Sequence, residues 1–134
     1  MIQKIDNSIE FYKKSLDAAW LRNTAIANNI ANVDTPNYKR QDVKFESILR
    51  DYYSGGSLQV NKTHDKHFGV NGIDSLEPTI EIEKNTSYRM DDNNVNMDVE
   101  SAEHAKNAIK YNFLSNQLSS HLSTIRRSIT GGRG

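Results

Sequence analysis

The chain has 134 residues, enough for one domain-sized unit, and its 17 Lys plus Arg balance 17 Asp plus Glu, which excludes a general electrostatic pull toward nucleic acid or an anionic membrane. There is no cysteine, so disulfides, thiol nucleophiles and cysteine metal sites are excluded. Hydrophobic content is 36% with a mean hydropathy of −0.73. No stretch reaches the ~18 apolar residues of a membrane-spanning helix, and the opening MIQKIDNSIEFYKK lacks the apolar run of a cleaved secretory signal.

In chain order, Ile2, Ile5, Ile9, Tyr12, Leu16, Ala19, Asn23, Ile26, Ile30 and Val33 follow one another by steps of three and four. This is a heptad seam with one polar break, Asn23. It predicts one helix over about Ile2–Asn32, roughly 45 Å long at 1.5 Å per residue, a length suited to a bundle or tube. Asn28, Asn29 and Asn32 are poor helix formers in its last turns. Asp34-Thr35-Pro36-Asn37 reads as a turn, because Pro36 disfavours helical angles at Thr35 and Asn37 tolerates left-handed ones.

The middle of the chain, 38–96, reads as a small, irregular or β-rich segment. Phe45, Ile48, Leu49, Tyr52 and Tyr53 mark a short helical or extended piece. Ser54-Gly55-Gly56-Ser57 is a break, while Leu58-Gln59-Val60 and Thr79-Ile80-Glu81-Ile82 alternate as short strands do. Few large residues are available there for a core.

A second amphipathic helix is predicted over about Met97–Ser128, with Asp98 as its N-cap and Glu100 and Glu103 placing acid near the positive end of the helix dipole. Its apolar stripe changes face. Val99, Ala102, Ala105, Ile109 and Phe113 lie on one side; Tyr111, Leu114, Leu118, Leu122, Ile125 and Ile129 lie nearly opposite. Two sets of neighbours along the helix would account for the switch. The expected fold is therefore mainly α: a helix and joint over 1–37, a small middle segment over 38–96, and a helix over 97–134, the long helices forming an antiparallel or coiled-coil-like pair. Ile5, Ile9, Tyr12, Leu16, Ile26 and Ile30 on the first helix, and Leu114, Leu118, Leu122 and Ile125 on the second, are candidates for an assembly interface, since such seams need partners to cover them.

Catalytic and phosphate-binding motifs are missing from the sequence: there is no G-x-S-x-G, P-loop or G-x-G-x-x-G. His64-x-x-His67 has half the spacing of a metal site without evident further ligands. Asp92, Asn94, Asn96, Asp98, Glu100 and Glu103 occupy positions 1, 3, 5, 7, 9 and 12 of an EF-hand-like frame. Met97, however, stands where that loop needs Gly, and the same residues serve equally as a helix entry. No catalytic residue, metal or cofactor is expected.

The run Ala27-Asn28-Asn29-Ile30-Ala31-Asn32-Val33-Asp34-Thr35-Pro36-Asn37-Tyr38-Lys39-Arg40 closely resembles the N-terminal signature of the flagellar rod, hook and hook-associated axial proteins. Gln41-Asp42-Val43-Lys44-Phe45, Thr63 with His67, Arg89–Asp98, and Ala105-Lys106-Asn107 with Tyr111 look most like a proximal rod member. The family motif falls on Ala27, Asn28, Asn29, Ala31, Asn32, Thr35, Pro36 and Tyr38. The family usually has Gly where Asn37 and Asp92 stand here; Asn and Asp are the next-best residues for positive φ. The resemblance implies a structural protein of the flagellar basal body, exported unfolded by the flagellar type III apparatus without a cleaved signal and polymerised helically through its terminal helices. The implied partners are other rod proteins, the ring–rod junction protein, the export gate and further copies of the chain, with no nucleic acid and no membrane insertion. Phe45 and Leu49, four apart, are similar to the Phe-x-x-x-aliphatic motif read by the export gate; they serve equally as anchors of the middle segment. The alternative to a rod subunit is a small helical binding or secretion-adaptor protein, with or without a weak calcium loop.

Overall fold

The computed structural model describes residues 2–53, 76–83 and 90–131, with side chains from residue 7 and, in the second helix, to residue 50. Five elements follow in order: α1 (Ile2–Ala31), β1 (Gln41–Lys44), α2 (Glu46–Tyr53), β2 (Thr79–Ile82) and α3 (Met97–Ile129). The architecture is mainly α, with two long helices and a two-stranded antiparallel sheet in which Val43 faces Ile80 and Gln41 faces Ile82. His64, His67 and the Leu58–Val60 strand fall outside the described residues, as does the Ser54–Ser57 break.

The long helices run antiparallel. Asn29 meets Glu100, Ala19 meets Asn107, and the rings of Tyr12 and His121 lie 6.1 Å apart. Going up α3 thus means going down α1. On α1 the heptad seam turns toward α3: Ala19 and Ile26 are buried, and Ile9, Tyr12, Leu16 and Ile30 are half-buried. The side chain of Ile5 lies outside the described residues. Asn23, the polar break in the seam, is exposed.

A second stripe on α1 faces the middle segment. Ala18 and Ala25 are buried against Val43, Phe45 and Leu76, with Phe11, Leu21, Ile48 and Leu49 packed around them. Alanines at these two positions let the sheet approach the helix closely. Phe45 follows β1 and leads into α2, its carbonyl accepting the Leu49 N–H at 2.8 Å, so Phe45 and Leu49 anchor the middle segment in this core.

Two expectations about α3 are corrected. The cap is Asn96 rather than Asp98: its side chain accepts from the N–H of Asp98 at 2.9 Å and of Val99 at 3.4 Å, and its extended backbone (φ −114°) leaves Asp98 inside the first turn. The inward face also does not switch. Glu100, Glu103, Asn107, Lys110, Leu114, Leu118, His121 and Ile125 are the buried and half-buried positions, one unbroken stripe in steps of three and four. It is polar over its first half and apolar over its second. The apolar residues of the first half, Val99, Ala102, Ala105, Ile109 and Phe113, face outward.

Candidate functional site

The polar half of that stripe belongs to a joint that ties α1, β1 and α3 together. Asn29 is fully buried near the end of α1. Its carboxamide donates to the Gln41 carbonyl and accepts from the Gln41 N–H, both at 2.8 Å. It thus pairs with β1 as a neighbouring strand would. The same amide nitrogen donates to Glu100 Oε2 at 3.0 Å, and the Tyr38 hydroxyl donates to Asn29 Oδ1 at 3.3 Å. Glu100 is also fully buried, and its other oxygen accepts from Arg40 Nε at 2.6 Å. A buried carboxylate is tolerated only when paired and hydrogen-bonded, and both conditions hold here. Burial, then the charge of Glu100, raise the pKa of the Tyr38 hydroxyl. Burial alone would lower the pKa of Arg40, but the hydrogen bond to Glu100 and the charges of Glu100, Asp42 and Glu83 raise it.

Directly beside this cluster the turn after α1 is clasped by the segment leading into α3. Asn93 is fully buried, and its amide nitrogen donates to the carbonyls of Asn32, Val33 and Thr35 at 3.0, 3.0 and 2.9 Å. These carbonyls belong to the turn just after α1, where those of Asn32 and Thr35 also accept the N–H groups of Thr35 and Tyr38 at 3.0 and 3.3 Å. The Asn93 oxygen accepts from the Val95 N–H at 2.8 Å, which folds its own segment. Asn94 accepts from the Arg40 N–H at 2.6 Å and donates to the Glu83 carbonyl at 2.9 Å. Lys39 reaches the Asp92 carbonyl at 2.7 Å. On the α1 side Asn32 donates to the Asn28 carbonyl at 2.8 Å, and Thr35 donates to Asn32 Oδ1 at 3.2 Å.

Among the described residues only Asn37 and Asp92 combine positive φ with a side chain, each at 61°. They are the two positions where Gly was the expected residue, and left-handed backbone is what Asn and Asp tolerate best after Gly. The two turns meet: the Asn37 N–H donates to the Asp91 carbonyl at 2.9 Å.

An ionic cluster continues the joint along α3. Arg22 clamps Glu46 with two 2.6 Å bonds and donates to the Val43 carbonyl at 2.7 Å. Lys110 of α3 bonds the same carboxylate. The Arg22 bonds, joined by Lys110 and opposed by burial, pull the Glu46 carboxyl down to about 2, and Glu46 in turn raises Arg22. Asp42 stands between the two arginines, 3.7 Å from Arg22 and 3.6 Å from Arg40. A groove of about 820 Å³ opens over these residues, with Lys106 and Glu103 on its α3 side.

The candidate site residues therefore divide. Asn29, Asn32 and Tyr38 of the family motif enter the joint, whereas Ala27, Asn28, Ala31, Thr35 and Pro36 present exposed side chains around it. Leu114 is buried, Leu118 and Ile125 are half-buried, and Leu122 is exposed. Arg22, Glu46 and Lys110 were not singled out by sequence reasoning; the signal was a lysine at an inward position of α3. The calcium frame is put to other uses. Asn94 and Glu100 are taken by Arg40 and Asn29, Asn96 caps α3, and no three metal-ligating side chains gather among the described residues.

Two antiparallel helices locked by buried asparagines make a rigid scaffold, and its polar groups are spent on one another across the joint. Residues 22–39, which hold the α1 side of the joint, match the model of the family described as flagella basal body rod protein. Over 126 residues the chain is 34% identical to the flagellar basal body rod protein FlgB of Bacillus subtilis, covering 94% of this chain and 95% of that protein. It is 32% identical to FlgB of Aquifex aeolicus over 92% of this chain and 93% of the relative, and 28% identical to FlgB of Proteus mirabilis over 95% and 99%. The chain belongs to the FlgB family of flagellar basal body rod proteins. That is a family of structural proteins of the flagellar basal body rather than of enzymes.

Proposed function

We infer that this rod subunit is exported by the flagellar type III apparatus and assembles in the proximal rod through its helix pair. Its neighbours on this reading are further copies, other rod proteins and the ring–rod junction protein. The observation that carries the reading is the joint: it fixes the α1–α3 pair by polar bonds while leaving Trp20, Ile109, Phe113, Leu122 and Ile129 exposed. Ile109 and Phe113, one turn apart on one face of α3, are neighbours, and adjoining exposed apolar residues of this kind suit a docking face. Ile9, Tyr12, Leu16, Ile26, Ile30, Leu114, Leu118 and Ile125 hold the pair together from within, and Leu122 contributes to the assembling face. Phe45 and Leu49 sit in the folded core, so recognition by the export gate acts on the unfolded chain, before that core forms.

The test is replacement. The chain is expressed in a flagellated bacterium lacking its own FlgB, and basal bodies are isolated. The expected result is this chain in the rod and restored swimming. Intact export with rods that lack the chain would contradict the assembly reading. For export, Phe45→Ala with Leu49→Ala retains the subunit in the cytoplasm if the gate reads these residues. Normal export followed by failed assembly leaves them a purely packing role.

A further inference from the structure

The two outer edges of the sheet are treated differently. On β1 the backbone groups that point away from β2 are those of Gln41 and Val43, and side chains take up all four. Asn29 accepts from the Gln41 N–H and donates to its carbonyl, and Arg22 donates to the Val43 carbonyl. The Asp42 carboxylate accepts from the Val43 N–H at 2.7 Å. That edge is closed. On β2, Ile82 lies opposite Gln41 and Ile80 opposite Val43. Directly opposed residues of an antiparallel ladder either bond each other or both face away, so the N–H and C=O groups of Ile80 and Ile82 point away from β1. None of these four groups has a partner among the described residues.

The side chains of Ile80 and Ile82 share the sheet face of Val43. Val43 is buried against α1, yet Ile80 is 45% and Ile82 49% exposed. The core face thus runs on past α1 onto an open strand. A row of unpaired N–H and C=O groups is matched by another extended backbone, and such edges are templates for strand addition. A second copy offers poor material for it. Among its described residues β2 is the one extended edge left open, and β2 pairs badly with itself. Joined antiparallel with Ile80 opposite Ile82, two copies set Glu81 directly against Glu81. Centred on Ile82, the pairing sets Glu81 against Glu83. Centred on Ile80, it brings Pro78, which has no N–H, to a ladder position. Lys44 already meets Glu81 at 2.5 Å, so an incoming strand needs no cation there; it must only lack a carboxylate.

We propose that the open edge of β2 receives an extended segment of a different rod protein, with aliphatic side chains beside Ile80 and Ile82 and an uncharged or basic residue beside Glu81. The added strand bonds the outward backbone groups of Ile80 and Ile82 and covers both isoleucines. This rests on the reading of the chain as an assembling rod subunit and assigns that assembly one specific contact.

The chain lacks cysteine, so Thr79→Cys, at an exposed position of β2, carries a single thiol. It is loaded with a thiol-anchored photo-crosslinker and assembled in basal bodies, and adducts are mapped by mass spectrometry. The expected adduct joins residue 79 to a different rod protein, within a peptide whose apolar residues alternate with non-acidic polar ones. An adduct with a second copy overturns the proposal in favour of self-association. An adduct within a heptad-patterned segment overturns it in favour of a helix. Basal bodies that contain the chain but give no adduct overturn it as well. Basal bodies without the unsubstituted chain refute the rod-subunit reading itself. Two further variants separate backbone from side chain. Ile82→Pro removes an outward N–H and leaves the β1–β2 bonds in place, whereas Ile82→Lys keeps that N–H and puts a charge on the apolar face. Each should leave the helicity of the monomer unchanged while incorporation falls at least tenfold. Undiminished incorporation of either contradicts the proposal, and Ile82→Lys decides alone if Ile82→Pro loses helicity.

Discussion

Asn29 and Glu100 stand 71 residues apart and share a 3.0 Å hydrogen bond inside the α1–α3 interface, both side chains fully sealed from solvent. Around that bond the protein holds its helices in register by polar contacts, where a helix pair ordinarily relies on apolar ridges. Polar contacts are directional, so a slip of one turn would strand a carboxylate and a carboxamide in the interior at a cost of several kcal/mol.

The Glu100 pair gives the first prediction. Glu100→Ala leaves Arg40 without its buried partner and should cost about 3–5 kcal/mol in urea unfolding. Replacing both residues together, as Arg40→Met with Glu100→Leu, should recover most of that loss. A double variant as unstable as Glu100→Ala would show that Arg40 is not the source of the penalty.

Asn93 shares its two amide hydrogens among three carbonyls of the turn after α1. Asn93→Ala should lower stability by about 1–3 kcal/mol through the loss of those bonds and of the one from the Val95 N–H. Amide exchange should quicken from about residue 28 to 38 before it does elsewhere in α1. Uniform quickening along the whole helix would mean that the clasp is not local.

Backbone angle accounts for the next pair. Asn37→Gly should be neutral to slightly stabilising at φ 61°, because Gly takes that conformation freely. Asn37→Val should cost about 1–2 kcal/mol. Thermal unfolding of the two variants against the parent decides it, and equal melting temperatures would contradict the account.

Acid should loosen the ionic cluster. Glu46 titrates at about 2 in the folded chain against an ordinary 4.5, so the folded state binds fewer protons than the unfolded one between those values. The stability it contributes is fully present above about pH 4.5 and is lost as pH falls toward 2. Because its side chain is 42% exposed, about 1 kcal/mol is expected after allowance for screening. Glu46→Gln should flatten that part of the stability–pH curve; an unchanged slope would assign the acid loss to other carboxylates.

Much of this was legible in the chain. The step of three and four from Ile9 to Ile30 located α1 and the face it turns to α3, because those positions are apolar. The replacement of Gly by Asn37 and Asp92 pointed to positive φ, which both residues adopt. What stayed hidden is the buried surface made of polar groups. Ser15, Arg22 and Asn29 interrupt the second stripe of α1, and Glu100, Asn107 and Lys110 fill the inward stripe of α3, so hydrophobic periodicity points to the outer residues Val99, Ile109 and Phe113 instead. β1 was missed for a similar reason. In Gln41-Asp42-Val43-Lys44 only Val43 is buried, and one apolar residue makes no alternation.

Burial and assembly separate along α3. Leu114→Ala should cost about 2–5 kcal/mol as a core truncation, whereas Leu122→Asp, at an exposed site, should change monomer stability by less than about 0.5 kcal/mol and still prevent incorporation into rods. Fractionated basal bodies together with denaturant curves of both variants test the pair. Normal swimming with Leu122→Asp would remove Leu122 from the assembling face.

The central claim is that the joint holds α1 and α3 as one rigid pair in the rod. A density map of basal bodies assembled with this chain tests it most directly. The account predicts an antiparallel α1–α3 pair in the rod wall, with the Asn93 side chain against the carbonyls of Asn32, Val33 and Thr35. A rod in which this chain is present with α1 and α3 separated, or with Asn93 withdrawn from those carbonyls, would contradict it.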